Sequence, residues 1–227
     1  MPKTVSIAID GPAGAGKSTI ARRLASELNF RYVDTGAIYR TVAYFLDLWG
    51  ISPKDTDGIT RYLDELTLGI TYDETGLQHM IMNGMDVTDD IRTQEIGQKA
   101  SLVSAQPLVR EMLLDMQRDA AKQYSVVMDG RDIGTVVLPR ADLKIFLTAS
   151  AEVRAERRFR ELTEKGAKAS YDKVLAEIKQ RDYQDTHRAA APLKQAEDAV
   201  LLDTSDLNFE QSLEAMKKII AEKAGQQ

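Results

Sequence analysis

Gly11-Pro12-Ala13-Gly14-Ala15-Gly16-Lys17-Ser18 is the stretch on which the fold of this chain turns. It matches G-x-x-x-x-G-K-[ST], follows the short apolar run Val5-Ser6-Ile7-Ala8-Ile9-Asp10 and precedes an amphipathic segment. Glycines let successive backbone N–H groups turn inward around a polyphosphate, where a Cβ would obstruct them. The helix that follows presents its positive end to the same phosphates. Lys17 is expected to reach the β- and γ-phosphates and Ser18 to offer its hydroxyl to Mg²⁺, with Gly11 through Thr19 lining the ligand. A full match in strand–loop–helix order argues against a plain glycine-rich turn. The pattern predicts a nucleoside triphosphate site.

Outward from this loop, apolar runs at 5–10, 32–33, 125–128, 143–148 and 199–202 alternate with helical patterns at 18–28, 37–48, 107–123, 151–165, 171–187 and 209–223. Runs this apolar suit strands buried on both faces, and the order predicts an α/β fold with a doubly wound parallel sheet. Ser150 and Asn208 read as N-caps, and Pro107 suits a first helical turn. Residues 53–92 break the rhythm. There 66–72 and 79–82 alternate, with turns at Asp73-Glu74-Thr75-Gly76 and Asn83-Gly84, predicting a small antiparallel hairpin or three-stranded insertion. Residues 224–227 read as a frayed end.

A chain of 227 residues, 43% hydrophobic and 29% charged, fits one soluble domain with an insertion. No run reaches the length of a membrane span, and the amino terminus lacks a leader's basic start and apolar middle. The absence of cysteine fits a reducing cytoplasm. Two scattered histidines, His79 and His187, make no zinc centre. A net charge of −5 argues against a nucleic-acid partner, so any positive charge used for binding must be local.

Several runs supply it. In Asp34-Thr35-Gly36-Ala37-Ile38-Tyr39-Arg40, Thr35 lies near a helix N-terminus with Arg40 one turn in; an anion site and a capped helix with a solvated arginine fit equally well. Asp129-Gly130-Arg131-Asp132 closes an apolar run: Asp129 stands where a Walker-B carboxylate reaches toward Mg²⁺, and Arg131 and Asp132 lie beyond a strand's carboxyl end, where open sheets bind ligands. Arg154, Arg157 and Arg158 share a helical face. Glu152, Glu156 and Glu161 would make that face a salt-bridged surface, but the acidic background favours a phosphate clamp. Arg181, Asp185 and Arg188 also share a face, for which an ion pair worth about 0.3–0.5 kcal/mol would be reason enough.

Together these pieces resemble the bacterial cytidylate kinase family, the (d)CMP kinases among the P-loop nucleoside monophosphate kinases. The likeness runs from about residue 4 to residue 220 and rests on IDGPAGAGKST, DTGAIYR, DIRTQEIGQKA (90–100), DGRDIGTVV and RDYQDTHRAAAP (181–192). It implies ATP-dependent phosphorylation of CMP or dCMP with Mg²⁺, in pyrimidine nucleotide metabolism. It also implies a core sheet of five parallel strands (about 1–34, 105–150 and 190–227), an NMP-binding region with the insertion (about 35–104) and an arginine-rich helical lid (about 151–189). By motif, Lys17 and Ser18 would hold the ATP phosphates and Mg²⁺, and Thr35, Arg40 and Arg131 the acceptor phosphate. Ser101, Arg110 and Asp132 would face cytosine, Arg181 and Asp185 the ribose, and Arg188 the base or phosphate. Arg154, Arg157 and Arg158 would belong to the lid and, with Lys17 and Arg131, stabilise the transferring group. Many members have Ser where this chain has Thr35, which keeps the hydroxyl. The reading implies a cytoplasmic monomer acting on small molecules, with no membrane or nucleic-acid partner. Its rivals are a P-loop kinase of another small acceptor and a GTP-binding switch. The switch would use a D-x-x-G run, present at Asp55–Gly58 and Asp73–Gly76, but N-K-x-D occurs nowhere.

Overall fold

A computed structural model describes residues 4–224; of the frayed end expected at 224–227, Ala224 is the last residue of the final helix and 225–227 lie outside the described residues. Strand β1 (Ser6–Asp10) lies at the centre of a sheet ordered β2-β6-β1-β7-β8, with β2 (Arg31–Asp34), β6 (Val126–Gly130), β7 (Leu143–Thr148) and β8 (Val200–Asp203). Every pairing is parallel. The period-2 alternation of β1 explains its position: Ile7 and Ile9 pack with Ile20, Leu24, Leu213 and Met216 on one face. Ala8 faces the other way, against Val33, Val126 and Met128. Helices α1 (Lys17–Leu28) and α8 (Phe209–Ala224) supply the first layer, and α5 (Pro107–Gln123) contributes Leu114, Ala120 and Ala121 to the second.

Helix α2 (Thr35–Leu48) starts two residues ahead of the expected 37–48 because the Asp34 carboxylate accepts the Ala37 N–H at 2.9 Å and closes the first turn. Asn208 and Gln211 exchange backbone-to-side-chain bonds at 2.9 Å ahead of α8, a capping box. The insertion holds the short helix α3 (Thr56–Tyr62) and an antiparallel sheet β3 (Leu68–Tyr72), β4 (Gln78–Met82) and β5 (Met85–Asp86). Helix α4 (Gln94–Val103) follows. Together with α2 and the start of α5 these elements enclose their own apolar cluster, around Phe45, Ile59, Met80 and Ile91. A π-helical turn, Ile133–Val137, follows β6. Helices α6 (Ala151–Glu164) and α7 (Tyr171–His187) pair over Ala155, Val174 and Ile178.

Candidate active site

Parallel register brings acids together at the carboxyl edge of the sheet: Asp34 stands opposite Asp129, and Asp10 opposite Gly130. Past β1 the chain turns at Gly11, whose φ is 150° and where a Cβ would run into the Leu147 carbonyl oxygen. Only glycine lets the loop lie this close to the sheet. Lys17 is buried and its Nζ donates to the Pro12 carbonyl at 2.7 Å, so the side chain arches over the loop. Burial, and then the Arg131 charge, draws its pKa well below the usual lysine range. Ser18 Oγ donates to one Asp129 oxygen at 2.9 Å and the Tyr32 hydroxyl to the other at 2.8 Å. Burial and the neighbouring Asp34 push the Asp129 pKa up to about 6. Asp10 is also pushed up to about 6 by burial, although it accepts the N–H groups of Ile133 and Gly134, both at 2.7 Å.

A cavity of about 490 Å³ opens from this loop between α2, α4, the end of β6 and α7. On one wall Thr35 Oγ1 donates to the Asp129 carbonyl at 2.7 Å. Arg40 reaches the carbonyls of Ile91 and Thr93, each at 3.3 Å. On the far wall Asp132 is held from both sides: Arg110 Nη2 donates to one oxygen and Arg188 Nη2 to the other at 3.1 Å. Arg131 Nε donates to Asp185 at 2.8 Å. Burial alone would raise the Asp185 pKa, yet the Arg131 guanidinium holds it below the ordinary carboxylate range. Arg181 is pulled down to about 10 by burial and by Arg131, and remains charged at neutral pH. Two buried polar atoms that have no hydrogen-bond partner among the described residues, Ser101 Oγ and Arg181 Nε, belong to residues that line the cavity. A buried polar atom left unpaired costs about 1–3 kcal/mol, so these two are groups for a ligand to satisfy.

Most of the residues singled out by sequence therefore line one cavity: Lys17, Ser18, Thr19, Thr35, Arg40, Ser101, Asp129, Arg131, Asp132, Arg181, Asp185 and Arg188. Arg110 stands behind Asp132. The three arginines of α6 go separate ways. Arg154 is buried against the loop, bonded to the Ala13 and Ala149 carbonyls and to Asp182. Arg157 lines the cavity while its Nη2 donates to the carbonyls of Thr204 and Leu207, at 2.7 and 3.1 Å. Arg158 pairs with Glu161 at 2.7 Å at the cavity mouth. A shared helical face fixes where such side chains start, while their length lets them end far apart. Arg92 and Tyr39 line the cavity without having been singled out; Arg92 lies 3.5 Å from Asp34. Its signal was present in DIRTQEIGQKA, where periodicity gave no reason to prefer one side chain. Both D-x-x-G runs are local caps: Asp55 accepts the Gly58 N–H, and Asp73 accepts the N–H groups of Thr75 and Leu77.

The family model described as cytidylate kinase matches residues 7–222. A cytidylate kinase of Exiguobacterium sp. (strain ATCC BAA-1283 / AT1b) is 47% identical over 222 residues, 98% of this chain and 99% of that protein. One from Streptococcus pneumoniae (strain 70585) is 46% identical over 215 residues, 95% of this chain and 96% of that protein. Among solved structures, an uncharacterized protein from Eubacterium ventriosum ATCC 27560 superposes with a TM-score of 0.51 at 12% identity, over 96% of this chain and 99% of that one. That likeness concerns the fold alone.

Proposed function

The chain belongs to the cytidylate kinase family and phosphorylates CMP or dCMP with ATP, and we propose that the cavity described above is where the transfer takes place. One observation carries this placement: a single cavity joins the phosphate loop to a carboxylate, Asp132, pinned between two arginines. Phosphoryl transfer asks for alignment and for stabilisation of charge spread over the equatorial oxygens, and little covalent work. Lys17 leaves the Pro12 carbonyl for the donor phosphates. Thr35, Arg40, Arg92 and Arg131 orient the acceptor phosphate, whose own oxygen is the nucleophile, so no further base is needed. Ser101 and Asp132 read the base, Arg110 and Arg188 brace Asp132, and Arg181 and Asp185 face the sugar. Arg157 and Arg158 close over the donor from α6 and exclude water.

Among the described residues, no group of three or more His, Cys, Asp or Glu side chains could hold a metal ion by itself. The Ser18 hydroxyl and the Asp129 carboxylate, 2.9 Å apart beside the loop, do fit Mg²⁺, which takes one or two protein oxygens and completes its shell from phosphate and water. Mg²⁺ bound there would supply positive charge to the β- and γ-phosphates. We read the sheet with α1, α5 and α8 as the core, about 35–104 as the NMP-binding region and about 151–189 as the lid. No helix among the described residues is long and apolar enough to cross a membrane. A cytoplasmic setting is the simplest reading, since a chain without cysteine fits a reducing compartment.

ADP release measured with each nucleoside monophosphate in turn, against ATP alone, tests the assignment. CMP and dCMP should give fast turnover and ATP alone next to none. Comparable release without any acceptor would overturn it in favour of an ATPase or a switch.

A further inference from the structure

We propose that Arg154 and Asp182 form a clamp that sets the phosphate loop against α7, so that donor and acceptor bind cooperatively. The Arg154 side chain is only 5% exposed, and its donors are committed on both sides of the cleft. Nε donates to the Ala149 carbonyl at 2.8 Å and Nη1 to the Ala13 carbonyl, inside the phosphate loop, at 3.0 Å. Nη1 and Nη2 also grip Asp182 as a two-pronged pair, at 3.0 and 2.6 Å. The loop rests directly on this side chain, since a Cβ at Gly14 would lie 3.4 Å from Arg154 Cβ.

Asp182 follows Arg181 and precedes Asp185 by less than one helical turn. One guanidinium thus ties the loop assigned to ATP to the helix assigned to the acceptor. A buried ion pair adds little net stability, whereas a two-pronged arginine–carboxylate pair fixes distance and angle together. Donor phosphates require the loop N–H groups to point inward. The Ala13 carbonyl then points at Arg154, which holds Asp182 and the acceptor face of α7 at a set position. Ordering either end makes the other cheaper to order, and such coupling is reciprocal. Both residues are positioning residues, because they act through the Ala13 carbonyl and through α7.

The inference rests on the donor and acceptor assignments above, and its test separates the two. CMP affinity is measured by calorimetric titration with and without a β,γ-imido analogue of ATP, on the native chain, Asp182→Asn and Arg154→Lys. In the native chain the analogue should tighten CMP at least about fivefold, at the lower end of ordinary allosteric coupling. In Asp182→Asn that ratio should fall to near one, with the analogue-free CMP affinity changed less than about threefold, within the same coupling scale. Arg154→Lys, which keeps the charge and loses the fork, should do the same. If it fails to fold, partly exposed Asp182 still decides the matter. An unchanged ratio in Asp182→Asn overturns the clamp, even if melting temperature falls, since that is what a merely structural pair would show. A native chain that binds both nucleotides without coupling also overturns the clamp and leaves the site standing. One that binds neither removes the site assignment and the clamp with it.

Discussion

Arg110 and Arg188 fix both oxygens of Asp132, so the carboxylate cannot rotate to suit whatever base enters. Cytosine presents a 4-amino donor where uracil presents a carbonyl acceptor, and a carboxylate held between two guanidinium groups accepts from the first and opposes the second. Discrimination by such a buried polar contact reaches about 10⁴-fold. Asp132→Ala should therefore depress kcat/KM for CMP steeply and for UMP only slightly; equal losses would make the carboxylate a brace for its two arginines and no reader of the base. Lys17 poses a different question. Its pKa is held down by burial and by Arg131 while its Nζ sits on a backbone carbonyl, a poor substitute for phosphate. Lys17→Ala should lower kcat about 10³-fold or more, as loss of a transition-state cation does, with the melting temperature kept; a few-fold loss would refute the role. At this scale the motifs were legible because each needs a particular side chain at a particular spacing. Ser101 Oγ and Arg181 Nε were not legible as unsatisfied groups, since only the packed site shows what they lack.

Helix α4 separates stability from function. A Cβ on Gly97 would lie 2.8 Å from Arg40 Nη1. That atom is the end of a flexible side chain, so the fold can absorb the methyl while Arg40 cannot keep its place. Gly97→Ala should leave the melting temperature unchanged or raise it, since alanine favours a helix interior by about 0.5–1 kcal/mol. It should also raise KM for the acceptor and spare KM for ATP. A parallel rise in both KM values would mean that Arg40 does not belong to the acceptor. The insertion sheet carries a second test. His79 Nδ1 lies 2.6 Å from Asp86 and its Nε2 3.6 Å from Asp73. The pair with Asp86 raises the His79 pKa, so its contribution to stability is present below the unfolded value of about 6.5 and is lost as pH rises through the folded one. Asp86, lowered to about 2 by Thr88 and His79, loses its share only at strongly acid pH. Native and His79→Gln proteins should thus differ slightly in melting temperature at pH 5.5 and converge at pH 8.5; a gap that widens with pH would be wrong in sign. α3 and α4 escaped the sequence reading for a physical reason. Each is short and carries a glycine, and their stability comes from side-chain caps at Asp55 and Thr93 and from apolar partners distant in sequence.

For the whole molecule, the alternation of apolar runs with helical patterns made the parallel sheet legible, because buried strands and amphipathic helices carry different periods. The strand order was not, since β6 and β7 flank β1 through contacts more than a hundred residues away in sequence. Charge shows the same division between what composition fixes and what folding arranges. A chain of net charge −5 should repel anionic nucleotides, yet the cavity wall gathers eight lysine and arginine side chains against five carboxylates. The local field is therefore opposite in sign to the global one, and within a cleft it acts over roughly a Debye length, about 10 Å at 0.1 M salt. Capture of CMP should depend on that field, while transfer inside the closed cavity should be screened far less. Raising KCl from about 20 to 300 mM, which shortens the Debye length several-fold, should reduce kcat/KM for CMP several-fold at saturating ATP and leave kcat nearly unchanged. Equal falls in kcat and kcat/KM would place the salt effect on the chemistry, and a flat kcat/KM would mean that the arginines hold the nucleotide without helping it arrive.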